Sequence, residues 1–305
     1  MRFRPGTVDC IRYREVGQVA TDNRVSTVLA RRLGGELLRL RDAAGLTQPQ
    51  AAQVLSATAA KVAKMERGWV PFRDPDIVAL CKLYGVTDEA VVHSLLSLAK
   101  LDRERRKAKG WWHHMPIVGG LGEYIAMEEI ATRIRTWHPA LVPGLLQTPE
   151  YVRALGVTSN WSHPDEIEAL VTSRIKRQAR LRGDAPLEFH AVLWEAALRH
   201  QVGTVEVMRA QLDHLVQMAK LPHVHVQVLP FRAGRHHGVD GSFNIVSFAD
   251  PGALDVGYAE TIGSTLWAEG AEANEAYGRA FARVSRLSLA PHDSVSLIDA
   301  ISKGM

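Results

Sequence analysis

Two cysteines, Cys10 and Cys81, are too few to staple a chain of 305 residues. That excludes a disulfide-framed extracellular scaffold, and a reducing cytoplasm is the expected compartment. Long apolar runs are also missing. Stretches such as 140–146 are short and interrupted, there by Pro143 and Gly144, whereas a membrane-spanning helix needs roughly 20 apolar residues. The opening Met1-Arg2-Phe3-Arg4-Pro5-Gly6 carries charge with no apolar core behind it, so no export signal is expected. Internal repeats and low-complexity tracts are absent. So are phosphate-loop, dinucleotide and serine-hydrolase signatures. Gly119-Gly120-Leu121-Gly122 lacks the later glycine and the preceding strand of a nucleotide fingerprint. Histidines pair at 113–114, 223 and 225, and 236–237, but no His-Glu-x-x-His or Cys-x-x-Cys spacing accompanies them. A zinc site needs three or four converging ligands. No metal, cofactor or catalytic activity is therefore expected.

What is present is charge of uneven sign. The chain is 23% charged with a net charge of +4. Residues 25–110 hold 15 Lys and Arg against 9 Asp and Glu, and residues 111–305 hold 17 against 21. A basic front half concentrates polyanions, and an acidic back half does not. Two domains with different tasks are expected.

Residues 1–24 show no sustained period and read as a loose tail. From residue 25 the pattern is helical, with Val28, Leu29, Leu33, Leu37 and Leu40 at three- and four-residue steps and Gly45 as the stop. Thr47 and Gln50 form a capping box around Pro49, which a first turn tolerates. A short helix with Ala51, Ala52, Val54 and Leu55 inward follows. After the break at Ser56-Ala57, residues 58–67 form a third helix with Val62 and Met65 inward, stopped by Gly68. Two more helices, 74–85 and 87–100, complete an all-α N-terminal domain of five helices over 25–100. The basic run 101–119 reads as a linker, its first part also compatible with a longer fifth helix. Residues 120–305 read as an α+β domain with a small, mainly antiparallel sheet. Helices are expected at 123–136, from 148, and at 165–181, 205–220, 271–287 and 293–301; strands at 187–193, 224–229, 243–248 and 254–260.

Residues 29–86 resemble the phage-repressor-like helix-turn-helix domain of the Xre family of regulators. The resemblance rests on Leu33, Leu37, Arg41-Asp42-Ala43-Ala44-Gly45-Leu46-Thr47-Gln48, Ala51-Ala52, Val62, Met65-Glu66-Arg67-Gly68, Pro71 and Leu80…Tyr84-Gly85-Val86. In such domains the second helix of the pair lies in the major groove, where base edges are distinguishable. Carried over position by position, the resemblance implies that Thr58, Ala59, Ala60 and Lys64 face the bases. It also implies that Gln48, at a helix N-terminus, holds a phosphate, and that Lys61 and Arg67 contact phosphates, with Arg73 a further candidate. Arg41 and Glu66 match a buried ion pair of the family. Ser56 stands where the turn commonly has glycine, and Ala63 where the family often has serine. Ala59 and Ala60 can touch a thymine methyl but cannot form a bidentate hydrogen bond, so base reading falls to Lys64 and Thr58 or to DNA shape.

Residues 120–302 resemble the domain of unknown function that follows such heads in many actinomycete regulators, the WhiJ-like proteins among them, some described as antitoxin-like. The matching pieces include Val142-Pro143-Gly144-Leu145-Leu146-Gln147-Thr148, Arg174…Arg177-Gln178, Glu195-Ala196-Ala197-Leu198-Arg199 and Val226-Gln227-Val228-Leu229-Pro230. This resemblance implies a regulator, commonly encoded beside a small partner protein, and no established ligand. From the residues alone, the loop 231–242 stands out because it holds Arg232, Arg235, His236, His237 and Asp240 among glycines, and long ordered loops often carry function. It is the expected ligand or partner site. The basic row Arg174, Lys176, Arg177, Arg180 and Arg182 is expected to pair internally with carboxylates such as Glu166 and Glu168. Trp111-Trp112 is expected to anchor the linker. The whole reads as a cytoplasmic, homodimeric transcriptional regulator that binds double-stranded DNA and whose C-terminal domain receives a signal or a small partner protein. The alternative is an enzyme or metal-dependent sensor tethered to DNA.

Overall fold

A computed structural model describes residues 26–107, 110–114, 121–158, 164–236, 238, 240–249, 255–261, 264–268 and 270–305. The expected tail 1–24, with Cys10, and His237 lie outside these residues.

Local signals set the helices of the N-terminal region. Thr27 caps α1 (Val28–Ala43) by accepting from the Ala30 amide, and Gly45, at φ 67°, turns the chain out of it. The Thr47–Gln50 capping box opens α2 (Gln48–Val54). Thr58 caps α3 (Ala59–Glu66) by accepting from the Lys61 amide. α4 (Asp74–Leu83) starts one residue earlier than its Asp-Pro pair implies: Arg73 is the cap, and Asp76 accepts from its backbone and guanidinium. The basic run continues α5 (Glu89–Lys107), with Leu101 and Asp102 buried, so the part expected as a linker is helix up to Lys107. Leu29, Leu33 and Leu37 of α1 pack with Ala51, Ala52, Val62, Met65, Ile77, Leu80 and Leu98 into one core.

The C-terminal region is built on a six-stranded sheet in the order β3-β2-β1-β4-β5-β6. Its strands are β1 (Arg133–His138), β2 (Glu188–Trp194), β3 (Val224–Leu229), β4 (Phe243–Ser247), β5 (Val256–Thr261) and β6 (Ser264–Ala268). The sheet, expected as small and mainly antiparallel, is mixed, with three antiparallel and two parallel pairings among the described strands. β1, β2 and β3 are mutually parallel, with Ile134 opposite Phe189 and Ala191 opposite Val226. β4, β5 and β6 then continue antiparallel. Parallel neighbours need long crossovers. Helices α7 (Pro149–Thr158) and α8 (Pro164–Gln178) carry the chain from β1 to β2, and α9 (Glu195–Arg199) and α10 (Val205–Met218) carry it from β2 to β3.

The strand that seeds this arrangement was hidden within the expected helix 123–136. The helix there is α6 (Leu121–Ile130), and β1 begins three residues later. Ile134, Thr136 and His138 face one side of the sheet and Trp137 the other, the two-residue alternation of a strand. On Trp137's side, Val192, Leu229, Phe243 and Ile245 pack against Phe281 and Val284 of α11 (Ala271–Leu287). On the opposite side, α10 packs on α12 (Pro291–Lys303), which covers β3.

α6 touches both regions. Its Glu123 accepts from the Val28 amide at the start of α1 (3.2 Å) and pairs with Arg105 of α5. Arg32 of α1, 1% exposed, donates to the Asp255 carbonyl beside β5. Among the described residues no helix is long and apolar enough to cross a membrane.

Candidate nucleic-acid interface and C-terminal cavity

α2 and α3 meet across a tight turn at Ser56, which adopts φ 49°. An L-residue in this left-handed region costs roughly 1–2 kcal/mol, a cost glycine avoids. Ser56→Gly should therefore add about 0.5–1 kcal/mol of stability after glycine's greater unfolded-state entropy is subtracted, seen as a higher urea unfolding midpoint. An unchanged or lowered midpoint would show that the turn is not under strain.

The orientation of α3 is held from behind. Val62, Met65 and Glu66 are buried, and Thr58, Ala60, Lys61, Lys64 and Arg67 are exposed, with Ala59 half-buried. Two glycines, Gly34, which the sequence reading passed over, and Gly68, which it took only as a helix stop, let α1 and α3 approach this closely. A Cβ on Gly34 would lie 2.3 Å from the Glu66 carbonyl oxygen, and one on Gly68 would lie 2.6 Å from the Arg31 amide. A glycine pair inside an otherwise good helix, Gly34-Gly35, was the available signal.

Glu66 also organises the electrostatics behind the helix. Arg41 Nε donates to its Oε1 at 2.7 Å and Nη2 to its Oε2 at 3.2 Å, and Gln48 Nε2 reaches the same Oε2 at 2.8 Å. Both partners of the ion pair are buried, as the resemblance implied. The hydrogen bond to Glu66 raises the Arg41 pKa above its ordinary value against the opposing effect of burial. Gln48 is thus tied to the pair through its amide, and one of its hydrogens is committed there. The outward row of α3 carries cations and small side chains, and the helix's one carboxylate is turned inward. Arg67 also stacks on the half-exposed Trp69, 5.8 Å from its ring centre.

In the C-terminal region, the loop 231–242 divides its described charged and histidine side chains between solvent and core. Arg232, Arg235 and Asp240 are exposed. His236 is 5% exposed and lies edge-on to Trp137 and Trp194, at 5.2 and 5.3 Å. It accepts from the Gly238 amide, and the Gly238 carbonyl accepts from Trp137 Nε1. His236 thus fastens the loop to the core. Among the described residues, no three metal-ligating side chains converge.

Of the basic row 174–182, expected to pair with carboxylates, Arg177 alone does so among the described residues, while Lys176 and Arg182 are exposed. Arg177 forms a bidentate pair with Glu128 of α6, 2.8 Å on both arms, and both are buried. Arg180 donates to the Ala131 carbonyl. Glu168 pairs instead with Arg153. Lys176 sits over Trp111, and Trp112 packs on Ile125 and Ala126, which gives the tryptophan pair its anchoring role.

Beside Arg177 opens a cavity of about 420 Å³ that the sequence reading did not anticipate. It lies on the sheet face opposite α11, between the loop leaving β1, α8 and β5. Leu121, Tyr124, Val142, Leu145 and Phe189 form apolar walls, and His138, Arg174, Asn244 and Glu260 bring polar groups to it. Burial, reinforced by the Arg174 charge, pushes His138 down to about 4, so the imidazole is neutral at pH 7.

Residues 32–95 match a family model described as a helix-turn-helix domain, HTH_31. Residues 121–300, more than half of the chain, match one described as a domain of unknown function, DUF5753. The chain belongs to the DUF5753 family. No curated protein and no solved structure matches it. The helix-turn-helix match covers the buried Arg41–Glu66 pair and the whole of α2 and α3, and it supports a DNA-binding regulator. The DUF5753 match covers the sheet and the cavity.

Proposed function

We propose that the protein is an Xre-type transcriptional regulator that binds double-stranded DNA through α3 as a homodimer, and that its DUF5753 domain receives a signal or a small partner protein. The observation that carries the DNA reading is the outward row of α3, where Lys61, Lys64 and Arg67 stand exposed with no carboxylate among them. The buried Arg41–Glu66 pair supports the Xre-type reading, and the basic balance of residues 25–110 supports the choice of partner. In this reading Thr58, Ala59, Ala60 and Lys64 face base edges. Lys61, Arg67 and the second amide hydrogen of Gln48 face phosphates. Two copies would engage half-sites about 34 Å apart or a multiple of that. That α6 contacts both α1 and the cavity supports a receiving role for the DUF5753 domain.

The test separates two lysines. Each phosphate contact contributes a slope of about −0.9 to the log–log dependence of affinity on salt. Lys61→Ala should weaken every DNA sequence alike and flatten that slope by about one. Lys64→Ala should cost about 1–3 kcal/mol on the selected operator and relax its sequence preference. If both variants lose affinity equally on operator and random DNA, Lys64 is a phosphate contact and reading lies with Thr58 or with DNA shape. If residues 120–305 alone bind the operator as well as the full chain, α3 is not the reading helix.

A further inference from the structure

We propose that the cavity of the DUF5753 domain binds a small organic monocarboxylate, its carboxylate held by Arg174 and its carbon skeleton by the apolar walls. The proposal deepens the signal-receiving reading of this domain and rests on that reading for its biological consequence, though not for its chemistry.

Position comes first. β1 ends at His138 and β4 begins at Phe243 at the same end of the sheet, and β1 is the strand at which parallel pairing gives way to antiparallel. Loops at the carboxyl ends of parallel strands, next to such a change, leave crevices that ligands occupy in open α/β sheets. Residues 138–145 and Gln147 after β1, and Gly241, Ser242 and Asn244 at the entry to β4, line the cavity. Its volume falls within the roughly 300–1,000 Å³ of small-molecule sites.

Charge then selects the ligand. Four charged side chains, Arg174, Arg177 and Glu260 of the lining and Glu128 behind it, meet here, and three are already satisfied. Arg177 is neutralised by Glu128. Glu260 accepts from the Tyr258 hydroxyl, and Glu128 holds the bidentate pair. Arg174 differs: among the described residues no carboxylate lies within ion-pair distance of it, and its buried Nε has no hydrogen-bond partner. Its guanidinium lies against Gly144, where a Cβ would come 3.2 Å from Cζ, Nε and Nη1. Burial and the neighbouring Arg177 lower its pKa only to about 10, so it remains a cation at pH 7. A guanidinium taken out of water without a counter-ion is costly, and a carboxylate matches its planar donor fork. One open cation beside the Glu260 carboxylate suits a single negative charge and disfavours a phosphate dianion. The amide of Asn244 lines the same wall; its Oδ1 already accepts from Thr136.

A route to the DNA-binding region is present in α6. Leu121 and Tyr124 line the cavity, and Glu123 between them holds the Val28 amide and Arg105. A ligand that shifts α6 acts on the first turn of α1.

The test uses the full chain titrated with hexanoate and phenylacetate, their neutral amides, and inorganic phosphate. Calorimetry and the NMR signal of the Arg174 Nε–Hε group provide the readouts. Saturable 1:1 binding of at least one carboxylate, with a shifted Arg174 signal and at least tenfold weaker binding of its amide and of phosphate, supports the site. Arg174→Gln should lose tenfold or more, and Arg174→Lys should recover part of it. The proposal is overturned if neither carboxylate moves the Arg174 signal, if amides or phosphate bind as well, or if folded Arg174→Gln binds unchanged. Should that variant fail to fold, the wild-type signal decides alone. DNA affinity measured with and without saturating carboxylate tests the signal-receiving reading separately. A threefold or larger change supports that reading, and no change removes it while leaving the binding site in place.

Discussion

Glu66→Ala is expected to cost about 3–5 kcal/mol of folding stability, because it leaves Arg41 charged and buried with no buried carboxylate to face. The side chain removed accepts three hydrogen bonds, two from Arg41 and one from Gln48. Arg41 keeps its contacts to the Leu46 carbonyl and to Asp42, which is solvent-exposed and replaces little of the loss. Domains are stable by only about 5–15 kcal/mol, so the melting temperature of the helix-turn-helix region should collapse and DNA binding should go with it. The paired change Arg41→Met with Glu66→Leu removes both charges and should recover most of the stability, since buried pairs can be replaced by apolar residues of similar volume. A urea midpoint for Glu66→Ala equal to wild type would mean that the pair is not formed in solution.

Glu128→Ala should be as damaging in the other half of the molecule, again about 3–5 kcal/mol. Its carboxylate, 1% exposed, takes both arms of Arg177. It also lies between α6 and α8, and Arg177 stacks on Tyr124 of α6 at 5.3 Å. Without Glu128, two guanidinium groups, Arg174 and Arg177, share one cavity wall with Glu260 as the remaining anion. Glu128→Gln should be milder because an amide oxygen can still accept one arm. The quantity to measure is chemical denaturation followed by tryptophan fluorescence, since Trp137 is fully buried in this domain. If Ala and Gln at 128 unfold at the same midpoint as wild type, Arg177 is held by something other than this pair.

Much of the helix-turn-helix region was legible because its signals are short-range. Thr27, Thr47 with Gln50, and Thr58 each cap a helix within three residues of their own position, and Gly45 and Gly68 end helices through their own backbone angles. The inward row of α3 follows from three- and four-residue spacing. The strands 224–229 and 243–247 were readable for the same reason, as alternation within six residues. What misled the reading was β1. Ile134 and Trp137 are three apart and so continue a helical face as readily as a strand, and only pairing with Phe189 and Val246, 55 and 112 residues further on, settles the choice. β6, five residues at a sheet edge with Leu266 exposed, has too little buried surface to mark its pattern.

The same distance in sequence separates what the residues determine from what the fold decides at the two sites. Composition and local spacing determined that a basic helical head precedes an acidic mixed domain, and that residues 58–67 present cations outward. They also placed five arginines and lysines along residues 174–182, each with the same apparent freedom to pair. Tertiary structure decided their fates: Arg177 meets a carboxylate 49 residues away, Arg180 meets backbone carbonyls, and Arg174 faces a cavity with no counter-ion among the described residues. It equally decided that His236 is packed between two tryptophans while Arg232 and Arg235 stay in solvent. The physical reason is range. Backbone propensity and capping act within a turn or two of the chain, whereas desolvation and ion pairing depend on which distant segment arrives to exclude water, and a single sequence does not encode that distance locally.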